Sequence, residues 1–352
     1  MHTTAQECYE ASALPSHPYG ELLRTGAPRL STARRVPAGV VGVIAPFTVP
    51  TILAVRAIAA ALALGNAVVL EPDPRTAVSG GAVFARVFEE AGLPAGVLQV
   101  LPGGADVGEA LVTAPQTRVI AFTGSPGAGR AFGAPAGQHL ERAHLELGGN
   151  SALVVLPDVD VTAAASVGAW GTFAHQGQIC MATSRHLVHE SIAEEYTAVL
   201  TEKVANLPVG DPYREQVALG PLIDAGQRDR VHGLVTASVA EGATVRTGGT
   251  LEGLFHRPTV LADVTVDHPG HREEVFGLHP AAATAVRSRA PLPAGPVRRA
   301  SGPPRRRARR GGTRGSPASR PGAGHRAGRA RAPRCRPPPP SRTAAGPAAP
   351  RP

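Results

Sequence analysis

Residues 39–70 read GVVGVIAPFTVPTILAVRAIAAALALGNAVVL, and this stretch decides the fold class. Residues 40–44 are a short apolar run that ends before Pro46, and residues 51–64 are helix-forming and almost wholly apolar. A second apolar run follows at residues 67–70. Apolar strands separated by a helix are typical of a parallel sheet that is covered on both faces. The stretch therefore predicts a strand–helix–strand unit of an α/β protein.

The same alternation continues along most of the chain. Apolar strands and helical segments recur up to residue 122, which is the pattern of a doubly wound sheet. A second α/β block begins near residue 145 and runs to residue 261. We expect two α/β domains. The predicted boundaries are 1–35 for an N-terminal segment, 36–146 for the first domain, 147–277 for the second domain and 278–352 for a C-terminal tail.

The positive charge is concentrated at the C-terminal end. The 352 residues carry 36 lysines and arginines against 27 acidic residues, but 18 of the arginines lie in residues 287–352. Residues 1–286 alone therefore have a net charge of about −9. Residues 287–352 contain 15 prolines, one leucine and no aromatic residue, too little apolar surface to offset the entropy cost of ordering the backbone. We expect residues 278–352 to be a disordered tail rich in Arg, Pro, Ala and Gly.

Composition also excludes several classes of protein. No run of 18 or more uncharged apolar residues is present, which predicts no transmembrane helix. The N-terminal sequence MHTTAQECYE lacks the basic and apolar regions of a secretory signal. Cys8, Cys180 and Cys335 are odd in number and widely separated, so they predict neither a disulfide framework nor a metal site. These features favour a cytoplasmic protein.

Four short segments contain residues suited to chemistry. Residues 144–150 (HLELGGN) place a glutamate before two glycines, which permit a tight turn. Residues 177–180 (GQIC) end in Cys180, which is either a small buried hydrophobic residue or a nucleophile. Residues 122–130 (FTGSPGAGR) form a strand-to-helix turn whose backbone amides can face a phosphate. Residues 273–277 (EEVFG) place a carboxylate and an aromatic ring on the same side of an extended segment.

Taken in this order, the segments resemble the aldehyde dehydrogenase family. The specific feature is E-L-G-G-N followed by G-Q-I-C, in which Cys180 follows Glu146 by 34 residues, and the resemblance covers residues 36–280. ALGNAVVLEPDPRTAVSGG and HQGQICM are most similar to the bacterial benzaldehyde and vanillin type. The resemblance implies a cofactor-binding domain at 36–146 and a catalytic domain at 147–277. It also implies NAD(P)-dependent oxidation of an aldehyde, aromatic for this type, to the carboxylic acid.

The residues match the chemistry that the resemblance implies. Addition of a thiolate to an aldehyde gives a tetrahedral thiohemiacetal, which loses hydride to a nicotinamide and becomes a thioester that water hydrolyses. Cys180 is then the nucleophile, and Glu146 is the base that activates the thiol or the water. Partial burial at a domain junction is expected to raise the pKa of Glu146. The alternative is that Glu146 is a surface carboxylate at a turn.

The resemblance also implies which residues hold the dinucleotide. Gly124 and Ser125 would approach the pyrophosphate, Glu274 would bind the nicotinamide ribose and Phe276 would lie near the ring. The complete implied set is Ile44, Phe47, Glu71, Gly124, Ser125, Leu147, Glu274 and Phe276. At Glu71 the family normally has a lysine that meets the adenosine ribose. A carboxylate accepts ribose hydroxyls but repels a 2′-phosphate, which favours NAD over NADP; the alternative is that Glu71 is a damaging substitution.

A second departure concerns oxyanion stabilisation. The family phrase Pro-aromatic-Asn-aromatic-Pro contains an asparagine whose amide, with a backbone N–H at the cysteine, stabilises the oxyanion. Here the phrase reads PFTVP and has Thr48 at that position. Loss of one oxyanion donor typically costs roughly 10²–10³ in turnover. Thr48 therefore predicts impaired rather than absent activity.

The ends of the chain depart from the family as well. Only about 35 residues precede the first motif, and Arg-rich sequence follows residue 278. The family continues there through more α/β structure, including the strand that joins subunits of its homo-oligomers, so this strand is expected to be missing. The chain has 35 arginines and one lysine, which indicates GC-rich coding DNA that would give such a tail when translated out of frame. We hypothesise a frameshift near residue 278.

Three possibilities remain open for the function of this chain. The chain is either an enzyme for a small aldehyde, which the sequence does not specify further, or a non-catalytic remnant whose sheet edges stay unpaired. The third possibility is nonspecific nucleic-acid binding by arginine clusters such as residues 305–307, which would act through counterion release. The tail has no interleaved aromatic residues for base stacking, which argues against a selected nucleic-acid role.

Overall fold

The N-terminal segment packs against the first α/β layer through one helix. The computed structural model describes residues 2–278 and 282–286. The first elements are helix α1 (His2–Ser12) and strands β1 (Gly20–Leu23) and β2 (Ser31–Arg34), which form an antiparallel hairpin. Ala11 is buried in the same hydrophobic cluster as Ile58, which belongs to the layer described next. The start of the chain is therefore part of the folded core.

Five parallel strands form the first sheet. Its elements are β3 (Val40–Ala45), α2 (Pro50–Ala63), β4 (Ala67–Pro72), α3 (Val83–Glu90), β5 (Leu98–Val100), α4 (Ala105–Thr113), β6 (Thr117–Gly124), α5 (Pro126–Gln138) and β7 (Arg142–Leu147). The strand order is β5-β4-β3-β6-β7. The chain therefore winds outward from β3 first to one side and then to the other, and the predicted doubly wound sheet is confirmed.

Both faces of the first sheet are covered by helices. On one face Val43 and Leu70 pack with Ile58 of α2. On the other face Ile120 packs with Leu111 of α4. The central strand β3 and the first half of β4 are mostly buried and apolar, and this is why residues 39–70 predict the fold so directly.

Asn66 connects the end of α2 to the start of β3. Its Oδ1 accepts hydrogen bonds from the backbone N–H groups of Ala38 and Gly39, at 2.7 and 3.2 Å. Its Nδ2 donates to the carbonyl of Ala61 at 3.0 Å. The side chain thereby provides an acceptor for two backbone N–H groups before β3 and adds a second donor to a carbonyl near the end of α2.

A second sheet follows in the chain. Its elements are β8 (Ala152–Val155), α6 (Val161–Phe173), β9 (Arg185–His189), α7 (Ala193–Ala205), α8 (Ala225–Ala240), β10 (Thr244–Thr247), β13 (Val260–Ala262), α9 (Pro269–Arg272) and β14 (Ala282–Val286), with a separate hairpin of β11 (Leu251–Glu252) and β12 (Phe255–His256). The strand order is β10-β13-β14-β9-β8, and only the β10–β13 pair is antiparallel. The predicted second α/β layer is confirmed.

Strand β14 lies inside the segment predicted to be a disordered tail. Its residues pair in parallel with β9 on one side and with β13 on the other. The run AATAV pairs with β9 along its whole length and with β13 at Ala282 and Ala283, a strand that the composition of the whole tail concealed. Apart from Leu278 and this strand, the predicted tail and its arginine clusters lie outside the described residues.

Two further sequence predictions concern the chain as a whole. Among the residues that the structure describes, no helix is both long enough and apolar enough to cross a bilayer. Residues 148–151 connect β7 to β8, next to the boundary predicted at residue 146. The division into domains stays a prediction.

Gly168 allows α6 to approach its neighbours closely. A Cβ atom at this position would overlap the hydroxyl of Tyr196 in α7 and would lie 2.8 Å from Cε1 of His186 in β9. Both of these side chains are fully buried. The absence of a side chain at residue 168 is therefore what lets the three elements pack.

We expect Gly168→Ala to lower the free energy of unfolding by about 1–3 kcal/mol, because the added methyl group overpacks the core. Gly233, in the middle of α8, is the matched control, since a Cβ atom there has no neighbour within 4 Å. Gly233→Ala should raise the free energy of unfolding by about 0.5–1 kcal/mol, the helix-propensity difference. Urea unfolding followed by circular dichroism measures both. Changes of the same sign would contradict the packing around Gly168.

Candidate functional site

One cleft contains all of the residues predicted to carry function. It has a volume of about 2000 Å³ and lies where β3, β4, β6 and β7 end, facing residues of the second α/β layer. The predicted residues that line it are Ile44, Phe47, Thr48, Glu71, Gly124, Ser125, Glu146, Leu147, Cys180, Glu274 and Phe276. In open α/β sheets, ligands bind at the carboxyl ends of the strands. The structure therefore assembles these residues at the expected place, while their individual roles stay predictions.

Cys180 lies in an exposed turn at the edge of the cleft. The turn is closed by a hydrogen bond from the N–H of Ala182 to the carbonyl of Ile179, at 3.0 Å. The thiol is exposed, which contradicts the interpretation of Cys180 as a buried hydrophobic residue. An exposed thiol beside a large cleft is accessible to a small molecule.

Three consecutive residues with left-handed backbone precede this turn. They are His175, Gln176 and Gly177, with φ of 53°, 58° and 64°. Such values end α6 abruptly and reverse the chain toward the cysteine. At Gly177 a Cβ atom would overlap the carbonyl of Gly277, so only glycine fits between the two segments.

Thr48 is buried at the connection between β3 and α2. The next residue, Val49, has φ of 34°, a left-handed conformation that is rare for a β-branched side chain. This residue turns the chain so that α2 begins at Pro50, a favourable first helical position. The tight connection places Thr48 at the wall of the cleft.

Glu146 is more exposed than its sequence context predicts. Its side chain is 66% exposed, and Oε1 lies 3.1 Å from Nε2 of His144. The expected partial burial is therefore wrong. The physical reason is that β7 is the edge strand of the first sheet and has β6 as its only neighbour there.

Glu71 has the opposite environment. It belongs to β4, which has strands on both sides, and it is only 5% exposed. Burial and, to a lesser extent, the nearby charges of Asp73 and Asp106 together raise the pKa of Glu71 to about 7. The carboxyl group is thus close to half protonated at neutral pH.

The start of α5 lines the cleft. Ser125 caps this helix, since its Oγ accepts from the N–H of Ala128 at 3.2 Å. At Gly124 a Cβ atom would lie 2.5 Å from the ring of Phe122, so a side chain has no room there. A capped helix start without side chains in front of it suits an anionic group.

Glu274 and Phe276 close the other side of the cleft. Glu274 accepts a hydrogen bond from the N–H of Gly149 at 3.1 Å, and a Cβ atom at Gly148 would overlap its carboxylate. Partial burial raises the pKa of Glu274. The ring of Phe276 meets the ring of Phe47 edge to face, with centroids 5.9 Å apart. Gly148 of E-L-G-G-N therefore makes room for the carboxylate, and Gly149 donates to it.

Two residues of the site escaped the sequence prediction, and the first is Asn150. Its Nδ2 donates to the carbonyls of His271 and Glu273, at 2.7 and 2.8 Å. Its Oδ1 accepts from the hydroxyl of Ser184. Asn150 is the last residue of E-L-G-G-N, and that position was the available signal.

The second is Arg75, which follows β4. Its guanidinium group lies over the ring of Phe47, 4.5 Å from the centroid, and pairs with both Asp73 and Asp224. Asp224 also caps α8 by accepting from the N–H of Gln227, at 2.8 Å. Arg75 therefore links the two sides of the cleft, through a partner 149 residues away that no local pattern indicates.

Comparison with known proteins places the chain in a family. Residues 1–279 match the sequence profile of the aldehyde dehydrogenase family. The chain belongs to the aldehyde dehydrogenase family. The match includes residues 1–35, which contain none of the motifs that predicted it.

Individual relatives agree with the predicted type. Over 277 residues the chain is 67% identical to the vanillin dehydrogenase of Amycolatopsis sp., covering 79% of this chain and 57% of that protein. Over 273 residues it is 50% identical to the benzaldehyde dehydrogenase [NAD(+)] of Pseudomonas putida, covering 77% and 56%. The salicylaldehyde dehydrogenase of Pseudomonas putida G7, solved with salicylaldehyde, matches with a TM-score of 0.77 at 37% identity, covering 80% of this chain and 60% of that chain. The predicted resemblance to the benzaldehyde and vanillin type is confirmed.

The chain spans little more than half the length of these curated relatives. The frameshift hypothesised near residue 278 stays a prediction. Resequencing the locus tests it, because an unbroken reading frame in a verified read would remove the hypothesis.

The raised pKa of Glu71 predicts a pH-dependent stability. Between pH 4.5 and about 7 the carboxyl group ionises in the unfolded chain but stays protonated in the fold, so stability falls as pH rises through this window. Glu71→Gln removes this loss. We expect the variant and the parent to have similar free energies of unfolding at pH 4.5 and the variant to be about 1–3 kcal/mol more stable at pH 8. Urea unfolding at both pH values measures the difference, and a constant difference would contradict the prediction.

Proposed function

We propose that this cleft oxidises an aromatic aldehyde to the carboxylic acid, with NAD as the hydride acceptor. The observation that carries the proposal is the exposed thiol of Cys180 in the same cleft as Glu146 and the residues implied for the dinucleotide. Relatives named vanillin and benzaldehyde dehydrogenase support an aromatic substrate. The reaction needs a nucleophile, a base and a dinucleotide site in one place.

The residues of the cleft fit a dinucleotide. The capped start of α5 would hold the pyrophosphate beside Gly124, where a Cβ atom would leave no space. Glu71 would accept hydrogen bonds from hydroxyl groups of the adenosine ribose, and Glu274 from those of the nicotinamide ribose. Phe276 would lie beside the nicotinamide ring. NAD, when bound, supplies the acceptor for hydride.

Each catalytic step has a candidate group in this chain. The thiolate of Cys180 adds to the aldehyde carbon, and the hydroxyl of Thr48 donates to the oxygen that becomes negative. The exposed carboxylate of Glu146, held beside His144, is accessible to the water that hydrolyses the thioester, and it takes the proton of that water.

The direct test is NADH formation by the purified full chain with benzaldehyde and with vanillin. Absorbance of NADH measures the rate. Cys180→Ser is the matched control, because it keeps an exposed hydroxyl at the same place but removes the strong nucleophile. We expect oxidation by the parent chain and loss of oxidation in the variant. Equal rates in both chains, or no oxidation by a folded parent chain, would refute the proposed activity.

Restoring the family's asparagine should raise turnover. Thr48→Asn supplies a longer amide donor to the oxyanion, and we expect kcat to rise by about 10–100-fold. Thr48→Val, which has the same shape as threonine but no donor, is the control and should lower kcat below that of the parent. An unchanged kcat in the asparagine variant would show that residue 48 does not stabilise the oxyanion.

Cofactor choice is expected to depend on Glu71. A carboxylate at the adenosine ribose repels the 2′-phosphate of NADP, whereas a lysine attracts it. Glu71→Lys should therefore raise the ratio of NADP affinity to NAD affinity by at least about tenfold, and Glu71→Gln should give an intermediate ratio. Fluorescence titration of each dinucleotide measures the dissociation constants. If the ratio of NADP affinity to NAD affinity is the same in the parent and both variants, Glu71 does not lie near the 2′ position of the adenosine ribose.

A further inference from the structure

A chain of hydrogen bonds is buried beneath the cysteine turn. The hydroxyl of Tyr196 in α7 lies 2.7 Å from Nδ1 of His186 in β9. Nε2 of His186 lies 2.9 Å from Oγ1 of Thr172 in α6, and this hydroxyl donates to the carbonyl of Thr183 at 2.8 Å. Tyr196 and His186 are fully buried, and Thr172 is nearly so. The proposed reaction uses none of these side chains.

The contacts determine where each hydrogen lies. Thr172 has one hydroxyl hydrogen, and it points to the carbonyl of Thr183, so Oγ1 accepts from Nε2–H of His186. Nδ1 is then the unprotonated nitrogen and accepts from the hydroxyl of Tyr196. Every donor in the chain has one acceptor. A second proton on His186, at Nδ1, would point at the hydroxyl of Tyr196. The hydrogen of that hydroxyl would then have no acceptor among these side chains.

Burial of His186 agrees with this arrangement. Removal from water lowers the pKa of His186 to about 4, so the ring is neutral near pH 7. Gly168 provides the space in which the rings of His186 and Tyr196 meet, with centroids 5.8 Å apart.

The last acceptor of the chain belongs to the segment that carries the cysteine. Thr183 is three residues after Cys180, and its N–H donates to the carbonyl of Gly171 at 3.0 Å. Thr172 also lines a small cavity behind the turn, together with Gly177 and Ile179. The N–H and the carbonyl of Thr183 are thereby both hydrogen-bonded to residues of the last turn of α6.

We propose that His186 is a positioning residue for Cys180. As the neutral tautomer with hydrogen on Nε2, it holds the hydroxyl of Thr172 toward the carbonyl of Thr183, and this bond fixes the end of the exposed cysteine turn against α6. The thiol itself is exposed, so its placement depends on how the turn is anchored. The consequence for turnover rests on the proposed function, but the hydrogen-bond arrangement does not.

Nitrogen-15 NMR of the full chain labelled at histidine tests the arrangement directly. We expect His186, assigned by loss of its signals in His186→Gln, to show protonated Nε2 and unprotonated Nδ1 throughout pH 5.5–8, the range above the lowered pKa. A tautomer with hydrogen on Nδ1, or a doubly protonated ring at pH 7, would overturn the proposal whatever the activity of the chain.

Hydrogen exchange tests whether the chain of hydrogen bonds through His186 and Thr172 restrains the cysteine turn. Thr172→Val keeps the shape of the side chain and removes both hydrogen bonds, whereas Thr172→Ser keeps the hydroxyl. We expect amides of residues 179–184 to exchange about fivefold faster in the valine variant, the factor for one net hydrogen bond, and at the parent rate in the serine variant. Ser166→Ala is the matched control, because it removes a hydroxyl-to-carbonyl bond from the exposed side of the same helix.

Steady-state kinetics separates positioning from general stability. If the parent chain oxidises benzaldehyde, Thr172→Val should lower kcat about tenfold with little change in KM. The value of kcat is calculated per mole of accessible thiol, measured by thiol titration. Thr172→Ser should restore kcat. Parent-like exchange and kcat in a folded valine variant would overturn the proposal. An inactive parent chain would refute the proposed activity alone, since exchange and the tautomer still decide the role of His186.

Discussion

The side chain of Asn150 forms hydrogen bonds to two segments that are more than 30 and more than 120 residues away in the sequence. Its nitrogen donates to two main-chain carbonyls of the segment that carries Glu274, and its oxygen accepts from Ser184, four residues after Cys180. Each such bond contributes only about 1 kcal/mol net, but a buried carbonyl left without a partner costs about 1–3 kcal/mol. One amide therefore joins the segment that carries Cys180 to the segment that carries Glu274.

Two carboxylates of this cleft show how strand position controls side-chain chemistry. Glu71 belongs to a strand with neighbours on both sides and loses its contact with water, whereas Glu146 belongs to the edge strand and keeps it. Desolvation of Glu71 disfavours its charged form. The same residue type thus has a raised pKa at one wall of the cleft and stays exposed to solvent at the other.

Sequence alone located the first sheet and the residues of the cleft, for separate physical reasons. The strands were visible because burial on both faces requires continuous apolar runs. The candidate functional residues were visible because E-L-G-G-N and G-Q-I-C are short motifs with a specific spacing. Burial of Glu146 was predicted wrongly, since edge position depends on strand order, and Asn150 and Arg75 were missed, since their partners are distant in the chain. Strand β14 was hidden by the average composition around it.

The contact between Arg75 and Asp224 belongs to a closed circuit. Arg75 lies on Phe47, Phe47 meets Phe276, and Gln227 donates to the carbonyl of Phe276 at 2.7 Å, while its own N–H binds Asp224. The circuit combines an ion pair, aromatic contacts and neutral hydrogen bonds, so salt screens only part of it. A ring of this kind tolerates the loss of one link, because the others still join the two walls. Two parallel contacts therefore join the walls, one ionic between Arg75 and Asp224 and one aromatic between Phe47 and Phe276.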